Sequence, residues 1–198
     1  NGFDINSDSL KLNYYDKIIF TNISRIIPYK GHVFLINLFE RISSIKENLI
    51  LQIVGDTLPS YKIYFDELKE MILKKGLQKK IVFMGFRNDI DKVLKKTNFL
   101  IHTPIQPDPF PTVIFEAVKN KTPVICTDQG GAYEILNNGK HGLFIDSNSI
   151  ELSAEMILKY IDDMKTQGEK VNSAYDYVNK NFNLNIFHFK LNKILSKY

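Results

Sequence analysis

The sequence predicts an α/β domain built on one doubly wound parallel sheet of about six strands. Short β-rich runs alternate with longer helical patterns as far as Ile145. Several of these runs are apolar throughout, as expected for strands that are buried on both faces. Strands that alternate with helices are normally parallel and joined by right-handed crossovers, so a Rossmann-like sheet is the expected architecture.

Six runs have the composition of strands. They are Lys17–Asn22, Leu49–Val54, Ile81–Met84, Phe99–His102, Pro123–Thr127 and Gly142–Ile145. Helical patterns lie between them, at Gly31–Lys46, Tyr61–Lys75, Asp89–Lys96, Thr112–Lys119 and Ala132–Leu136. In the first helix Leu35, Leu38, Phe39 and Ile42 follow the i, i+3, i+4, i+7 spacing of a single apolar face.

Beyond Ile145 the pattern becomes entirely helical. Three helices are predicted there, at Asn148–Lys165 (capped by Ser147 or Asn148), Glu169–Asn181 and Leu184–Tyr198. We therefore expect a domain over residues 17–183, with residues 1–16 as a connector from a missing N-terminal domain. The helix at 184–198 is rich in apolar side chains, and we expect it to pack toward that missing domain.

Composition narrows the class of protein. The net charge of +4, from 26 basic and 22 acidic residues, is too small and dispersed to indicate a nucleic-acid partner. Cys126 is the only cysteine and lies in an apolar run, so we expect a buried thiol and no disulfide framework. No apolar run is long enough to span a membrane. The chain begins with Asn1 and has no signal-peptide pattern, so we expect a piece of a longer cytoplasmic protein.

The segment from Asp108 to Glu134 carries the clearest functional signal. Asp108 and Glu116 stand on either side of a helix start with seven residues between them, and a strand and a Gly130-Gly131 turn follow. This order places two helix N-termini at one edge of the sheet. Helix N-termini favour anions, and carboxylates suit sugar hydroxyls, so the segment predicts a sugar-nucleotide ligand.

Open α/β sheets bind ligands beyond the carboxyl ends of their strands, so the loops at that edge should hold the site. Short motifs in those loops resemble a known family when taken together. They are SRIIPYKG at 24–31, IVGD at 53–56, VFMG at 82–85, DPFPTVIFEA at 108–117 and PVICTDQGGAYEIL at 123–136. The chain resembles the C-terminal donor-binding domain of a retaining glycosyltransferase with the GT-B fold, of the family-4 (glycosyl transferases group 1) type. Ser24 and Pro109 stand where that family commonly has Gly, and Asp108 stands where it commonly has Glu.

The resemblance implies three candidate catalytic residues. Arg25 and Lys30 would hold the donor diphosphate, whose negative charge grows as the sugar departs. Asp108 would contact the hydroxyls of the donor sugar. His102, at the end of the fourth strand, is interpreted as a structural histidine.

The resemblance also implies a set of donor-binding residues. Glu116 would accept hydrogen bonds from the two ribose hydroxyls. Phe110 and Thr112 would offer backbone N–H groups, and Gly130 and Gly131 would let a phosphate approach the backbone. The base would lie against the loop that contains Gly85 and Asn88. No cofactor other than the nucleoside diphosphate-sugar is implied, and no metal.

The function implied is sugar transfer with retention to a glycan or lipid-linked acceptor, in bacterial polysaccharide or glycoconjugate synthesis. The acceptor would bind the missing N-terminal domain, so we expect this piece alone to be inactive. Contact with the inner face of the cell membrane is expected only through the full-length protein. Two alternatives remain open, a nucleotide-binding domain without catalysis and a sugar-nucleotide epimerase of the same fold. The sequence does not identify the sugar or the base.

Overall fold

A computed structural model of the chain describes residues 17–182 and residue 192. It confirms the predicted six-stranded parallel sheet with flanking helices, and each strand end lies within one residue of its predicted position. The strands are β1 (Ile18–Ile23), β2 (Leu49–Val54), β3 (Ile81–Gly85), β4 (Phe99–His102), β5 (Val124–Thr127) and β6 (Leu143–Ile145).

The strand order is β3-β2-β1-β4-β5-β6, and each neighbouring pair is parallel. Phe20 of β1 pairs in register with Leu51 on one side and with Phe99 on the other. The direction of winding therefore reverses between β1 and β4. A crevice opens at such a reversal beyond the carboxyl ends of the strands, because the two flanking loops turn to opposite faces.

Within residues 17–182, seven α-helices connect and cover the strands. They are α1 (His32–Ile45), α2 (Lys62–Lys74), α3 (Ile90–Leu94), α4 (Thr112–Lys119), α5 (Ala132–Ile135), α6 (Ile150–Asp162) and α7 (Met164–Asn181). Short 3-10 turns at Pro28–Lys30 and Pro59–Tyr61 precede α1 and α2. Helices α1, α2 and α6 pack on one face of the sheet, and α4, α5 and α7 pack on the other.

Each face of the sheet has its own apolar core. On the α1 face the buried ring of Phe20 stacks on Phe99 at a centroid distance of 5.2 Å and meets the edge of Phe39 at 6.4 Å. On the α4 face Leu100 and Cys126 contact the helices. Cys126 is fully buried, and burial raises the pKa of its thiol, so the thiol stays protonated as the sequence led us to expect.

The C-terminal helices differ from their predicted bounds. A single helix was expected at 148–165, but the chain breaks at Asp163, whose carboxylate accepts a 2.9 Å hydrogen bond from the Thr166 amide and caps α7. The cap of α6 is Ser149 and not Ser147 or Asn148, since the Asn148 amide donates to Asp146 in a turn. The predicted connector at 1–16 and, apart from residue 192, the predicted helix at 184–198 lie outside the described residues. Within those residues, no helix combines the length and the apolarity needed to cross a bilayer.

The Phe20 ring provides a test of the core. We expect Phe20→Ala to lower the free energy of unfolding by about 3–5 kcal/mol, because it removes a fully buried ring between two aromatic neighbours and leaves a cavity. Urea denaturation followed by circular dichroism would measure the change. Ile63→Ala is the matched control, since Ile63 is 77% exposed and should change stability by less than about 0.5 kcal/mol. Equal losses in the two variants would contradict the proposed core.

Candidate functional site

Three loops meet at the reversal between β1 and β4. The β4–α4 loop lies between the β1–α1 loop and the β5–α5 loop. The Ile105 amide donates to the Tyr29 carbonyl at 3.0 Å, which ties the first two loops together. Gly31 has a left-handed φ of 74°, and a Cβ there would stand 1.9 Å from the Thr103 carbonyl oxygen. Only glycine fits this contact, so the two loops are held in fixed positions.

The glycine pair Gly130-Gly131 fixes the other side of the β4–α4 loop. The Gly131 amide donates to the Asp108 carbonyl at 2.8 Å. A Cβ on Gly130 would lie 2.3 Å from that oxygen, and one on Gly131 would lie 2.2 Å from the Pro109 carbonyl oxygen. We expected these glycines to admit a phosphate. The close approach that the structure shows is by the backbone of the Asp108 loop.

The carboxylate of Asp108 lies at the centre of this loop cluster. Its Oδ2 is 2.5 Å from Lys30 Nζ, which donates a hydrogen bond, and 3.2 Å from His102 Nε2. The side chains of all three residues are at least four-fifths buried. Both basic groups contact Oδ2, while Oδ1 has no partner among residues 17–182 and 192. One oxygen of the carboxylate is therefore available to a ligand.

The charges around Asp108 keep it ionised. His102 beside it, and then Lys30, hold the pKa of the Asp108 carboxyl well below its usual range, although burial acts in the opposite direction. Lys30 and Asp108 were predicted to belong to one site, and in the structure they form an ion pair. The contact of His102 was not expected, and the position of this residue at the end of β4 was the only signal for it.

Arg25 lies exposed in the β1–α1 loop, and its guanidinium has no hydrogen bond or ion pair within the described part of the chain. Its backbone, by contrast, is fixed. A Cβ on Gly55 would lie 2.0 Å from the Ser24 carbonyl oxygen, and the Ile26 amide donates to the Asp56 carbonyl at 2.9 Å. Arg25 is thus a free cation on a rigid loop, at the same sheet edge as Lys30.

Glu116 is the fifth residue of α4 and is partly buried. Lys119 and Lys121 lie close to it in the sequence and are possible ion-pair partners. Lys119 instead places its Nζ 3.1 Å from Asp91 Oδ2, and no described residue pairs with Glu116. Burial, and then the charge of Asp91, raise the pKa of Glu116. Its carboxylate is therefore free to accept hydrogen bonds from a ligand.

The start of α4 faces the same edge of the sheet. No side chain caps this helix, and Thr112 at its first position is exposed. The Phe110 ring is 60% exposed and lies 5.1 Å from the ring of Phe115. Uncapped N–H groups at a helix start favour an anion, and the donor-binding role of Thr112 and Phe110 stays a prediction.

The loop after β3 lies further along the edge. Gly85 has a left-handed φ of 65°, and its carbonyl accepts from the Gly55 amide at 2.9 Å. Asn88 is exposed, between Arg87 and Asp89, which form a double hydrogen bond at 2.7 and 2.8 Å. No direct contact joins Gly85 or Asn88 to Asp108 among the residues that the structure describes. A ligand would have to bridge the two groups.

A buried polar cluster beneath the Arg25 loop was missed in the sequence. Asn22 donates to the Ile101 carbonyl at 2.8 Å, and the Ser24 hydroxyl donates to Asn22 Oδ1 at 2.9 Å and lies 3.3 Å from His32 Nε2. Burial lowers the pKa of His32 to about 4, so its ring is neutral near pH 7. The only sequence signal was an Asn at the end of an apolar strand. These buried polar contacts stabilise the conformation of the β1–α1 loop that carries Arg25.

A cavity of about 940 Å³ lies beside α3, and Arg87 and Asp89, on either side of Asn88, are part of its lining. It is lined by Gln52 and Met84 from the sheet and by basic side chains that include Lys95 and Lys96. It contains neither Asp108 nor Glu116, so cavity volume does not locate the candidate site. In the described ranges no three His, Cys, Asp or Glu side chains are grouped as a metal site would require.

Comparison with known proteins assigns the chain to a family. The model of the family "Glycosyl transferases group 1" matches residues 5–177. The chain belongs to this family. It is 33% identical over 124 residues to an uncharacterised glycosyltransferase of Methanocaldococcus jannaschii, covering 62% of this chain and 29% of that protein. It is 26% identical over 160 residues to the N-acetylgalactosamine-N,N'-diacetylbacillosaminyl-diphospho-undecaprenol 4-alpha-N-acetylgalactosaminyltransferase of Campylobacter jejuni, covering 80% of this chain and 41% of that enzyme.

Solved structures share the fold. The Anabaena protein HepE, in complex with UDP, superposes with a TM-score of 0.86 at 26% identity, covering 95% of this glycosyltransferase chain and 51% of HepE. The C-terminal domain of a group 1 glycosyl transferase from Francisella tularensis gives a TM-score of 0.74 at 22% identity, covering 84% of this chain and 87% of that domain. The chain therefore spans about half of HepE and less than half of the two curated relatives, and its fold is that of a glycosyltransferase C-terminal domain.

The ionised state of Asp108 predicts a pH-dependent stability. Because its folded-state pKa is lowered, its contribution is present above the ordinary carboxyl pKa of about 4 and is lost as the pH falls toward the folded-state value. We expect Asp108→Asn to cost about 1–2 kcal/mol at pH 7 and progressively less below pH 4. Urea denaturation between pH 7 and pH 3 would measure this difference.

The control is Asp162→Asn, because Asp162 forms an exposed ion pair with Lys46 that should contribute less than about 1 kcal/mol. A cost for Asp108→Asn that stays constant with pH would show that its carboxylate is not held ionised by Lys30 and His102.

Proposed function

We propose that this chain is the donor-binding half of a retaining glycosyltransferase, which transfers a sugar from a nucleoside diphosphate-sugar to a glycan or lipid-linked acceptor. One observation carries the proposal. Two side chains of opposite charge, Arg25 and Glu116, have no partner among residues 17–182 and 192, and they stand at the same sheet edge as the fixed carboxylate Asp108. A nucleoside diphosphate-sugar has the diphosphate, ribose and sugar groups that would occupy all three.

The diphosphate would lie against Arg25, Lys30 and the uncapped start of α4. Arg25 offers a planar fork of donors on a rigid loop. Negative charge on the diphosphate grows as the glycosidic bond breaks, so these cations would bind the transition state more tightly than the bound donor. Such groups would take the place of a metal ion at the diphosphate, and no cofactor besides the donor is included in the proposal.

Lys30 would serve two partners at once. Its ammonium group has three N–H donors, and in the structure one of them donates to Asp108 Oδ2. The remaining donors can reach a phosphate oxygen without loss of the ion pair. The pair would also limit the conformations of the Lys30 side chain before the donor arrives, which reduces the entropy lost on binding.

Glu116 would recognise the ribose. A carboxylate with four lone-pair positions can accept from two adjacent hydroxyls at once. Its partly buried position strengthens such hydrogen bonds, because fewer water molecules compete for them. Asp108 Oδ1 would accept from a hydroxyl of the sugar, and the base would lie against the loop that contains Gly85 and Asn88.

The relatives support this donor and this kind of acceptor. HepE has been crystallised with UDP and with UDP-glucose, at 26% identity to this chain. The Campylobacter jejuni relative and an Escherichia coli galactosyltransferase, which is 27% identical over 152 residues, are named for undecaprenol-linked acceptors. We infer a uridine nucleotide donor, a role in bacterial polysaccharide or glycoconjugate synthesis, and a site on the cytoplasmic side of the membrane. The acceptor would bind to a part of the protein that precedes this domain.

Calorimetric titration of the chain with UDP, GDP and ADP tests the proposal. We expect UDP to bind saturably, and we expect Glu116→Gln and Arg25→Ala each to weaken binding by about tenfold, or roughly 1.4 kcal/mol, because each removes a partner of the nucleotide. Lys119→Ala is the matched control. Lys119 lies on the same helix as Glu116 and pairs with Asp91, so the affinity of this variant for UDP should stay within about twofold of the wild type. Binding that neither site variant weakens would show that the nucleotide lies elsewhere.

A further inference from the structure

His102 is a buried side chain that the proposed mechanism leaves without a role. Its side chain is 3% exposed, and its Nε2 lies 3.2 Å from Asp108 Oδ2. The contact does not meet the geometry of a hydrogen bond, and Nε2 has no hydrogen-bond partner among the described residues. A buried ring nitrogen without a hydrogen bond is costly, so a position this close to a carboxylate calls for an explanation.

The two carboxylate oxygens of Asp108 have different surroundings, and His102 contacts only Oδ2. Lys30 Nζ and His102 Nε2 both contact Oδ2, whereas no described residue contacts Oδ1. The backbone of Asp108 is also fixed, since its carbonyl accepts from the Gly131 amide and its loop packs on Gly130. Two basic groups on one oxygen restrict the rotation of the carboxylate, and Oδ1 is left without a partner among the described residues.

We propose that His102 is a positioning residue, whose Nε2–H donates to Asp108 Oδ2 so that Oδ1 is presented to a hydroxyl of the donor sugar. Hydrogen bonds of this kind are often long and poorly aligned without substrate and tighten in the complex. In this arrangement Nε2 carries a proton. This inference rests on the proposed function, since it assigns the sugar-binding part of the same site.

The first experiment needs no ligand. Long-range ¹H–¹⁵N NMR spectra of the ¹⁵N-labelled 198-residue chain at pH 7 report which ring nitrogen of each histidine carries the proton. His102→Gln identifies its signals by their loss. We expect a proton on Nε2. A proton on Nδ1 alone would overturn the inference, because Nε2 could not then donate to Asp108.

The second experiment measures affinity for UDP and for UDP-glucose by calorimetry. We expect His102→Ala to weaken UDP-glucose binding by about tenfold while UDP affinity stays within about twofold, because only the sugar contacts Asp108. His102→Gln should recover most of the loss, since its amide can supply an N–H. In an Asp108→Asn background, His102→Ala should have no further effect, as expected for residues that act as one unit. His141→Ala is the control for loss of a histidine, because His141 pairs with Ser173 and should leave both affinities unchanged.

The outcomes separate this inference from the proposed function. If UDP binds and depends on Glu116, but UDP-glucose is unaffected by His102→Ala, the nucleotide site stands and the inference is wrong. Losses that add independently in the His102 and Asp108 variants would also overturn it, because they would show that His102 does not act through Asp108. If the wild type binds neither UDP nor UDP-glucose, the proposed function fails in this chain and the inference fails with it.

Discussion

The site depends on the close backbone packing of the β4–α4 loop between its two neighbours. Gly31 on one side, and Gly130 with Gly131 on the other, stand where any Cβ would overlap a carbonyl oxygen of that loop. The strand order β1-β4-β5 brings these loops together. Asp108 is part of the packed loop, so these contacts fix the position of its backbone. The Lys30 ion pair then adds to a geometry that already exists.

In this packing the paired charges of the site are buried, and the unpaired charges are more exposed. Asp108 and Lys30 are mostly buried and satisfy each other, which avoids the large cost of an unpaired charge away from water. Arg25 is exposed and can remain unpaired in water at little cost. Glu116 lies between these extremes, and partial burial, followed by the charge of Asp91, raises its pKa although Lys119 acts in the opposite direction. Unpaired groups at the edge and paired groups beneath them suit a surface that receives a polar ligand.

The sheet was predicted correctly from the sequence, and the sequence also selected the candidate site residues, whose ligand roles stay predictions, but it did not show the contacts between them. Strand runs and the Asp108–Glu116 spacing are local patterns, so they could be read directly. The contacts of Asp108 with Lys30 and Gly131 join residues distant in the sequence and depend on loop conformation. The Gly130-Gly131 pair correctly indicated that another group lies close to the backbone there. The sequence could not show that this group is the backbone of the Asp108 loop and not a phosphate. Likewise, the apolar pattern runs on past Asp163, so the break there depends on a capping hydrogen bond.

The proposed function requires that a nucleotide binds at the carboxyl ends of β1, β3 and β4, and not in the cavity beside α3. Chemical-shift mapping of the ¹⁵N-labelled chain during a UDP titration tests it most directly. We predict the largest amide shifts in the loops that hold Arg25, Gly85 and Asp108 and in the first turn of α4, with little change at Lys95 and Lys96. Shifts confined to the cavity beside α3, with the Asp108 loop unchanged, would show that the nucleotide does not bind at these strand ends.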